Sequence, residues 1–599
     1  MTRDVTSPMA GTVAHVAVAI GDAVPEGGTL MYLEAMKMEH PVAAPATAVV
    51  DELLVTVGQT VEPGDALVRL RAGDEPAATE VEPSAVDTER RDLRALAERK
   101  AKLADQARPE AVARRHERGH RTARENVADL LDAGSFIEYG GLAIAAQRTR
   151  RSTEELERDT PADGMISGIG TVNADTFGTA RTQVAVAAYD YTVLAGTQGS
   201  SNHRKKDRLF ELAHRHRWPV VLFAEGGGGR PGDVDVPGSS FLDARAFALF
   251  ARLSGHVPTV SIVNGRCFAG NAALAGCADV LIATEDSNLG MAGPAMIEGG
   301  GLGRFAPEDI GPIEVQRANG VVDVVVADEA EAVAVARRYL GYFQGAVDAW
   351  ECADQSELRH VVPENRKRTY DVRALLGLLA DTGSVLELQR DFAPGMVTAL
   401  ARIEGRPLGV LANVPTHLGG AIDAPAADKA ARFLGLCDAH SLAVLVLCDT
   451  PGFMVGPQAE RDAGVRRFSR LFLAGAALSV PLVAVITRKA YGLGAQAMLG
   501  GHVQVPVATV GWPTSELGPM GLEGAVRLGF RRELEAAGSE EERLALEERM
   551  IELAHEQARG INVASYGEVD DVIDPADTRS LITRVLDAAC PPPPARREG

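Results

Sequence analysis

The chain has little cysteine, few aromatics, no surplus of basic charge and no long apolar run, and each shortage removes a class of function. Six cysteines in 599 residues form no Cys-x-x-Cys pair. Neither a disulfide framework nor a zinc ribbon is therefore expected, and no metal site is. Lys and Arg number 61 against 82 Asp and Glu, a net charge of −21 spread along the chain. A nucleic-acid binder needs a basic stripe, and none is present. The most apolar long stretch, Leu471–Thr487, is interrupted by Ser479 and Pro481 and is too short for a membrane span. The opening MTRDVTSPMAG has no basic region followed by an apolar run, so no signal peptide is expected. What remains is 46% hydrophobic and 24% charged, the balance of a globular chain. At about 150 residues per domain, roughly four units fit its length. A soluble, cytoplasmic, multidomain protein is expected, with no membrane or nucleic-acid partner.

Residues 5–70 alternate apolar and polar positions between Gly/Pro turns, the pattern of many short strands. They also repeat. Pro8, Val18, Gly21, Val24, Gly27, Leu30 and Leu33 recur as Pro45, Val55, Gly58, Val61, Gly64, Leu67 and Leu70, always 37 residues later. Two copies of a unit too small to bury a face alone imply one small pseudo-symmetric barrel. Glu34-Ala35-Met36-Lys37-Met38 lies where the copies meet, at a place where a hairpin tip should project. Two methionines flanking a lysine on a tip serve neither the core nor solubility. This EAMKM segment in a two-copy barrel resembles the biotinyl carrier domain of biotin-dependent carboxylases. A lipoyl domain shares the fold but normally lacks the paired methionines. The resemblance implies covalent biotin on Lys37. Residues 71–88, rich in Ala, Glu and Pro, read as a linker able to extend to roughly 55 Å at about 3.1 Å per residue.

From Glu89 to Asp132 charges interleave with Leu and Ala at helical spacing, stopped by Asp132-Ala133-Gly134. A larger repeat follows. At an offset of 224, Lys205 matches Lys429, Arg208 matches Arg432, His216 matches His440, Glu225 matches Asp449 and Gly228 matches Gly452. The segment from Val257 pairs with that from Val480 at an offset of 223, returning to 224 at Gly270 and Gly494. Each copy reads as helix, buried strand, Gly-rich turn, helix and strand, an α/β alternation with parallel pairing. The strand-to-turn crossings are Glu225–Gly232 and Asp449–Gly456, then Cys267–Ala272 and Tyr491–Gln496. EGGGGRPGD has no Lys-Ser/Thr after it, so it is not a phosphate-binding loop. The glycines either allow close packing of strand on helix or expose backbone N–H groups toward a developing oxyanion.

GRCFAGNAALAGCADV and RKAYGLGAQAM, with RTARENVADLLDAGSF, CDTPGFMVG and VDDVIDPADTR, resemble the paired crotonase-type (ClpP/crotonase) halves of biotin-dependent acyl-CoA carboxyltransferases. The resemblance spans about 115–580. It implies a carrier domain (1–70), a linker (71–88), an N-terminal half on the acyl-CoA side (89–360), a C-terminal half on the carboxybiotin side (361–585) and a disordered tail (586–599). It further implies transfer of CO2 from carboxybiotin to the α carbon of a short acyl-CoA of acetyl or propionyl type. Gly270 and Asn271 would hold the enolate oxygen, and Gly494 and Ala495 the ureido oxygen. Two departures stand out: Asn271 replaces the second glycine of the first site, and Ala497 falls where propionyl-CoA enzymes carry an acidic residue. The implied partners are acyl-CoA, a separate biotin carboxylase subunit, a biotin protein ligase and further copies of the chain, a dimer at least and a hexamer commonly.

The Arg204-Lys205-Lys206 run could pair with CoA phosphates or form a solvated helix face. His216 and His440 are readable as bases or as helix-end caps, and caps fit their place before buried strands better. A biotin-dependent decarboxylase or transcarboxylase component is the alternative function. An inactive biotinylated scaffold should have lost the glycine turns, and a crotonase-type hydratase would leave EAMKM unexplained.

Overall fold

The computed structural model describes residues 2–73, 90–235 and 242–589, which form two compact units, Met1–Arg94 and Ala95–Gly599. Most of the expected linker (74–88) and the end of the expected tail (590–599) lie outside the described residues. The strand Ala66–Ala72 passes the expected boundary at 70, and the last helix, Thr578–Ala589, takes up the first four residues assigned to the tail.

In the first unit the alternating pattern becomes two four-stranded antiparallel sheets. One holds Thr2–Thr6, Ala66–Ala72, Ala48–Leu53 and Ala23–Val24; the other holds Met38–Ala43, Thr29–Ala35, Gly11–Val16 and Thr60–Val61. Each sheet takes strands from both sequence copies, so neither copy buries its face without the other. The repeated Leu30/Leu67 and Leu33/Leu70 pairs meet in the core, each side chain contributing about 1.5–3 kcal/mol by leaving water. The repeated Gly21/Gly58 and Gly27/Gly64 turn the chain at φ of 97/87° and 78/97°, conformations that a side chain resists.

The second unit is duplicated strand for strand. The first sheet runs Ile137–Glu138, Met165–Thr171, Gln183–Tyr189, Val220–Phe223, Thr259–Val263, Val280–Thr284 and Val324–Val326. The second runs Leu386–Leu388, Met396–Ile403, Arg406–Asn413, Val444–Thr450, Leu482–Tyr491, Ala508–Gly511 and Asp571–Val572, with Glu516–Gly518 alongside the end of Leu482–Tyr491. Each begins with three antiparallel strands and continues with parallel ones. The parallel strands are buried throughout and mostly apolar (VVLF, VLIAT, VLVLCDT) because both faces are covered, with the polar residues at their C-terminal ends.

The helix Ser200–His216 packs against Met165–Thr171 and Gln183–Tyr189, and Ala424–Ala439 packs against the corresponding strands Met396–Ile403 and Arg406–Asn413. One apolar cluster includes Tyr339 and Leu340 from the first half with Phe433, Leu434 and Cys437 from the second. Arg432 donates to Asp323 at 2.6 Å and His440 bonds Asp279 at 2.9 Å, joining the halves polarly as well.

Candidate active site

In the first half, Arg266–Phe268 pairs with Asn288–Gly290 and delivers the chain into Ala269, held at φ 52° and ψ −124°, before the short helix Gly270–Ala275. A non-glycine residue there costs of order 1–3 kcal/mol and persists only where its surroundings over-determine it. A Cβ on Gly270 would lie 2.7 Å from the Gln198 amide nitrogen, so any side chain there must displace Gln198.

In the second half, Leu482–Tyr491 ends against Glu516–Gly518, and Gly492, at φ 60°, opens the helix Gly492–Met498. Among the described residues no acceptor lies against the N–H of Gly270, Asn271, Leu493 or Gly494. The first turn of a helix leaves such donors free, and aimed at one oxygen they can stabilise negative charge there.

Strand register corrects the match between the two turns. Phe268 stands opposite Gly290 and Tyr491 opposite Gly518, and the next residue in each chain, Ala269 or Gly492, has positive φ. The offset of 223 therefore holds into the turn. Leu493 occupies the station of Gly270, Gly494 that of Asn271, and Ala495 that of Ala272. The sequence match slipped by one because two glycines aligned more readily than glycine with leucine.

At this station the halves differ in what they hold. Gly494 lies so close to the backbone of Gly452 that a Cβ would sit 2.6 Å from its carbonyl carbon. Asn271 instead fills its space with a buried amide. Its Nδ2 donates to the Glu225 carbonyl at 2.7 Å and the Gly196 carbonyl at 3.1 Å, and its Oδ1 accepts from Gln198 at 2.7 Å.

The remaining sequence candidates are dispersed. Lys205 is buried, and its ammonium donates to the carbonyls of Met165 and Ala162. Its repeat partner Lys429 donates to those of Gln389, Phe392 and Met396 at 2.7–2.9 Å. Both lysines close the entrance to the corresponding strand, Met165 or Met396, and burial pushes each down to about 8. Lys206 is fully buried on the Tyr189 hydroxyl at 2.6 Å. The expected row of cations is thus a single exposed residue, Arg204, which shares a surface cavity of about 490 Å³ with Arg99 and Arg148. Ala497 is buried in the core, while Gln496 beside it is exposed. His216 stacks on Trp218, and His440, just past its helix end, holds Asp279. Glu225 and Asp449, the repeated acids, are buried against Arg115 and Arg488.

On the carrier unit, Ala35 pairs with Met38, leaving Met36 and Lys37 as a two-residue hairpin turn with φ of 53° and 65°. Two positive φ values define a type I′ turn, normally built from Asn and Gly. The tight turn thrusts both side chains outward: Met36 is 98% exposed, and Lys37 is exposed with no hydrogen bond or ion pair among the described residues. An amine so presented fits acylation by a cofactor carboxylate.

Comparison with known proteins agrees with this geometry. The carboxyl transferase domain family matches residues 114–591, and the biotin-requiring enzyme family matches residues 3–70. The methylmalonyl-CoA carboxyltransferase 12S subunit of Propionibacterium freudenreichii subsp. shermanii is 32% identical over 80% of this chain and 90% of its own. The propionyl-CoA carboxylase beta chain of Saccharopolyspora erythraea is 34% identical over 80% and 89%. A single-chain, multi-domain long-chain acyl-CoA carboxylase of known structure superposes with a TM-score of 0.80 at 55% identity, covering 98% of this chain. This chain spans 56% of the length of that protein. A hexameric transcarboxylase 12S structure, with methylmalonyl-CoA bound, superposes with a TM-score of 0.73 at 30% identity over 85% of this chain and 97% of its own.

Proposed function

The chain belongs to the carboxyl transferase family, with a biotin-requiring carrier domain in the same polypeptide, and from that premise we propose how its parts share one reaction. It is a biotin-dependent acyl-CoA carboxyltransferase. Biotin, attached to Lys37, supplies the carboxyl group and, once that group leaves as CO2, a basic ureido function that can take the α-proton of the acyl-CoA. The backbone N–H groups of Gly270 and Asn271 stabilise the enolate oxygen that forms on the thioester. Those of Leu493 and Gly494, with Ala495 next along, hold the ureido oxygen. No side-chain base is assigned, in keeping with Glu225 and Asp449 being buried against arginines. Arg204 is offered to the CoA phosphates. The observation that carries this reading is the pair of turns, each presenting unpartnered N–H groups at the same station of a duplicated fold.

In the complete reaction the chain acts as part of an acyl-CoA carboxylase. A biotin carboxylase component is proposed to supply the ATP-dependent step that carboxylates the carrier, with a biotin protein ligase to load Lys37. Assembly into a dimer or a hexamer is supported by the hexameric 12S relative. The acceptor is an acyl-CoA of acetyl or propionyl type. A second reading extends it to longer chains, supported by the 55% identity to the long-chain enzyme and by exposed Met291, Met296, Leu302 and Phe305, which follow the strand beside the first turn.

The reverse half-reaction tests this without ATP. Biotinylated chain is mixed with malonyl-, methylmalonyl-, methylglutaconyl- or a long-chain α-carboxyacyl-CoA, and the decarboxylated product is measured. Turnover of one or more is expected, lost in Lys37→Arg and restored by free biotin. No turnover of any, with biotin on Lys37 verified by mass, contradicts the reading.

A further inference from the structure

Behind the first turn the buried polar groups form a chain that the second half lacks. Lys206 Nζ donates to the Tyr189 hydroxyl at 2.6 Å. Gln198 Nε2 reaches that same hydroxyl at 3.2 Å and Asn271 Oδ1 at 2.7 Å. Asn271 then fastens the carbonyls of Gly196 and Glu225, the two loops between which the turn is seated. The Gln198 amide also lies flat against Gly270, whose missing Cβ would be 2.7 Å away. Gln198 thus touches both residues of the turn, and its own backbone is pinned, donating to Gly228 O at 2.8 Å and accepting from Arg230 N at 3.0 Å.

The corresponding stations of the second half are Ala430 for Lys206, Asn413 for Tyr189, Ile422 for Gln198 and Gly494 for Asn271. Gln198 and Ile422 are matched independently of sequence, since each bridges the loop after its buried strand, at Gly229 and Phe453. Asn413 points elsewhere, accepting the Asp449 N–H at 3.2 Å. Duplication kept the fold and placed this polar chain on one side only.

We infer that Gln198 and Tyr189 are positioning residues for the acyl-CoA turn, acting through Asn271 to hold the Gly270 and Asn271 N–H groups at the spot where the enolate oxygen forms. The inference rests on the assignment of the first turn to the acyl-CoA. The strained backbone of Ala269 explains why such support is needed, because a residue at φ 52° and ψ −124° relaxes unless its neighbours forbid it. Displacing donors by even about 1 Å can cost on the order of a hundredfold in rate.

Decarboxylation of the preferred α-carboxyacyl-CoA with free biotin as acceptor, run on the full chain, reads the effect. Gln198→Ala is expected to lower kcat at least tenfold with KM for the acyl-CoA within twofold, and Tyr189→Phe, which removes one oxygen and keeps the ring, to lower it less. Gln198→Ala combined with Asn271→Ala should cost little more than either alone, as residues acting through one another do. Hydrogen exchange, independent of turnover, should show faster exchange of the amides of 270–276 in Gln198→Ala with those of 492–498 unchanged. Wild-type kcat in both single variants, full additivity in the double variant, or unaltered exchange at 270–276 would overturn the inference. Failure of wild type to turn over any acyl-CoA would count against the assignment of function instead, and the exchange measurement would still decide the positioning role.

Discussion

The two halves of the transferase unit run through the same strands in the same order, yet solve one problem in opposite ways. Each must present N–H groups at a sharp turn. The second half does it with glycine: Gly492 takes the positive φ, and Gly494 nests against Gly452 with no room for a side chain. The first half does it with side chains: Ala269 carries the strain, and Asn271, Gln198, Tyr189 and Lys206 brace it from behind. Glycine achieves a turn by sterics alone, whereas a polar brace can be adjusted one residue at a time. The lesson is that a duplicated fold conserves stations, not the means of occupying them.

The sharpest way to break this comparison is to add one methyl group to each turn. In Gly494→Ala the new Cβ meets backbone, which cannot give, so the turn itself must shift. A fall in kcat of a hundredfold or more is expected, the scale of losing an oxyanion donor. In Gly270→Ala the new Cβ meets the end of the Gln198 side chain, which can swing aside, so a smaller fall of about tenfold is expected, in keeping with partial misplacement. Equal losses measured in the transfer assay would show that the two turns are not supported differently.

The buried lysines sharpen it next. Lys429→Met strands three carbonyls and should lower stability by about 2–4 kcal/mol, from unsatisfied acceptors at about 1–3 kcal/mol each with partial relaxation. Lys206→Met removes a group that burial has pushed down to about 7 and that, among the described residues, donates to one hydroxyl only. Its melting temperature should stay close to wild type. A larger loss for Lys206→Met than for Lys429→Met would reverse the roles given to them.

The smallest effect is one of pH. The Glu329 carboxylate, 3.7 Å from His120 Nδ1, raises His120 above the ordinary histidine value against the opposing effect of burial. A raised folded value means stability that is fully present below the unfolded value and lost as pH rises through the folded one. The His120 contribution should therefore weaken across that range, by about a degree on the scale of a fraction of a kcal/mol, and His120→Gln should make the melting temperature fall less with pH than that of wild type. An unchanged slope would show that Glu329 is held by Arg115, Arg121 and Asn264 without His120.

Much of this was legible in the residues. The 37-residue repeat foretold a small pseudo-symmetric barrel, though not the sharing of strands between its sheets, and EAMKM foretold the projecting tip, because both are local patterns in register with turns. The 224-residue repeat announced two like halves for the same reason. The one-residue slip at Gly494 was not legible, since only hydrogen-bonded register separates a Gly-Leu-Gly turn from an Ala-Gly-Asn one. The Arg204-Lys205-Lys206 run misled because charge was weighed before periodicity. Asn202, Lys205, Lys206, Leu209, Phe210 and Ala213 lie on the buried stripe of one helix, a spacing visible in the sequence. The polar chain behind Asn271 carries no sequence signal, as its members come from a strand end, a loop, a helix and a turn.

The division of labour between the turns is tested most directly by steady-state transfer to free biotin, with acyl-CoA and biotin varied in turn. Gly494→Ala is expected to raise the KM for biotin with that for the acyl-CoA unchanged, and Gly270→Ala to leave the KM for biotin unchanged, whatever each does to kcat. The same KM rising in both variants, or the two patterns exchanged, would contradict the account.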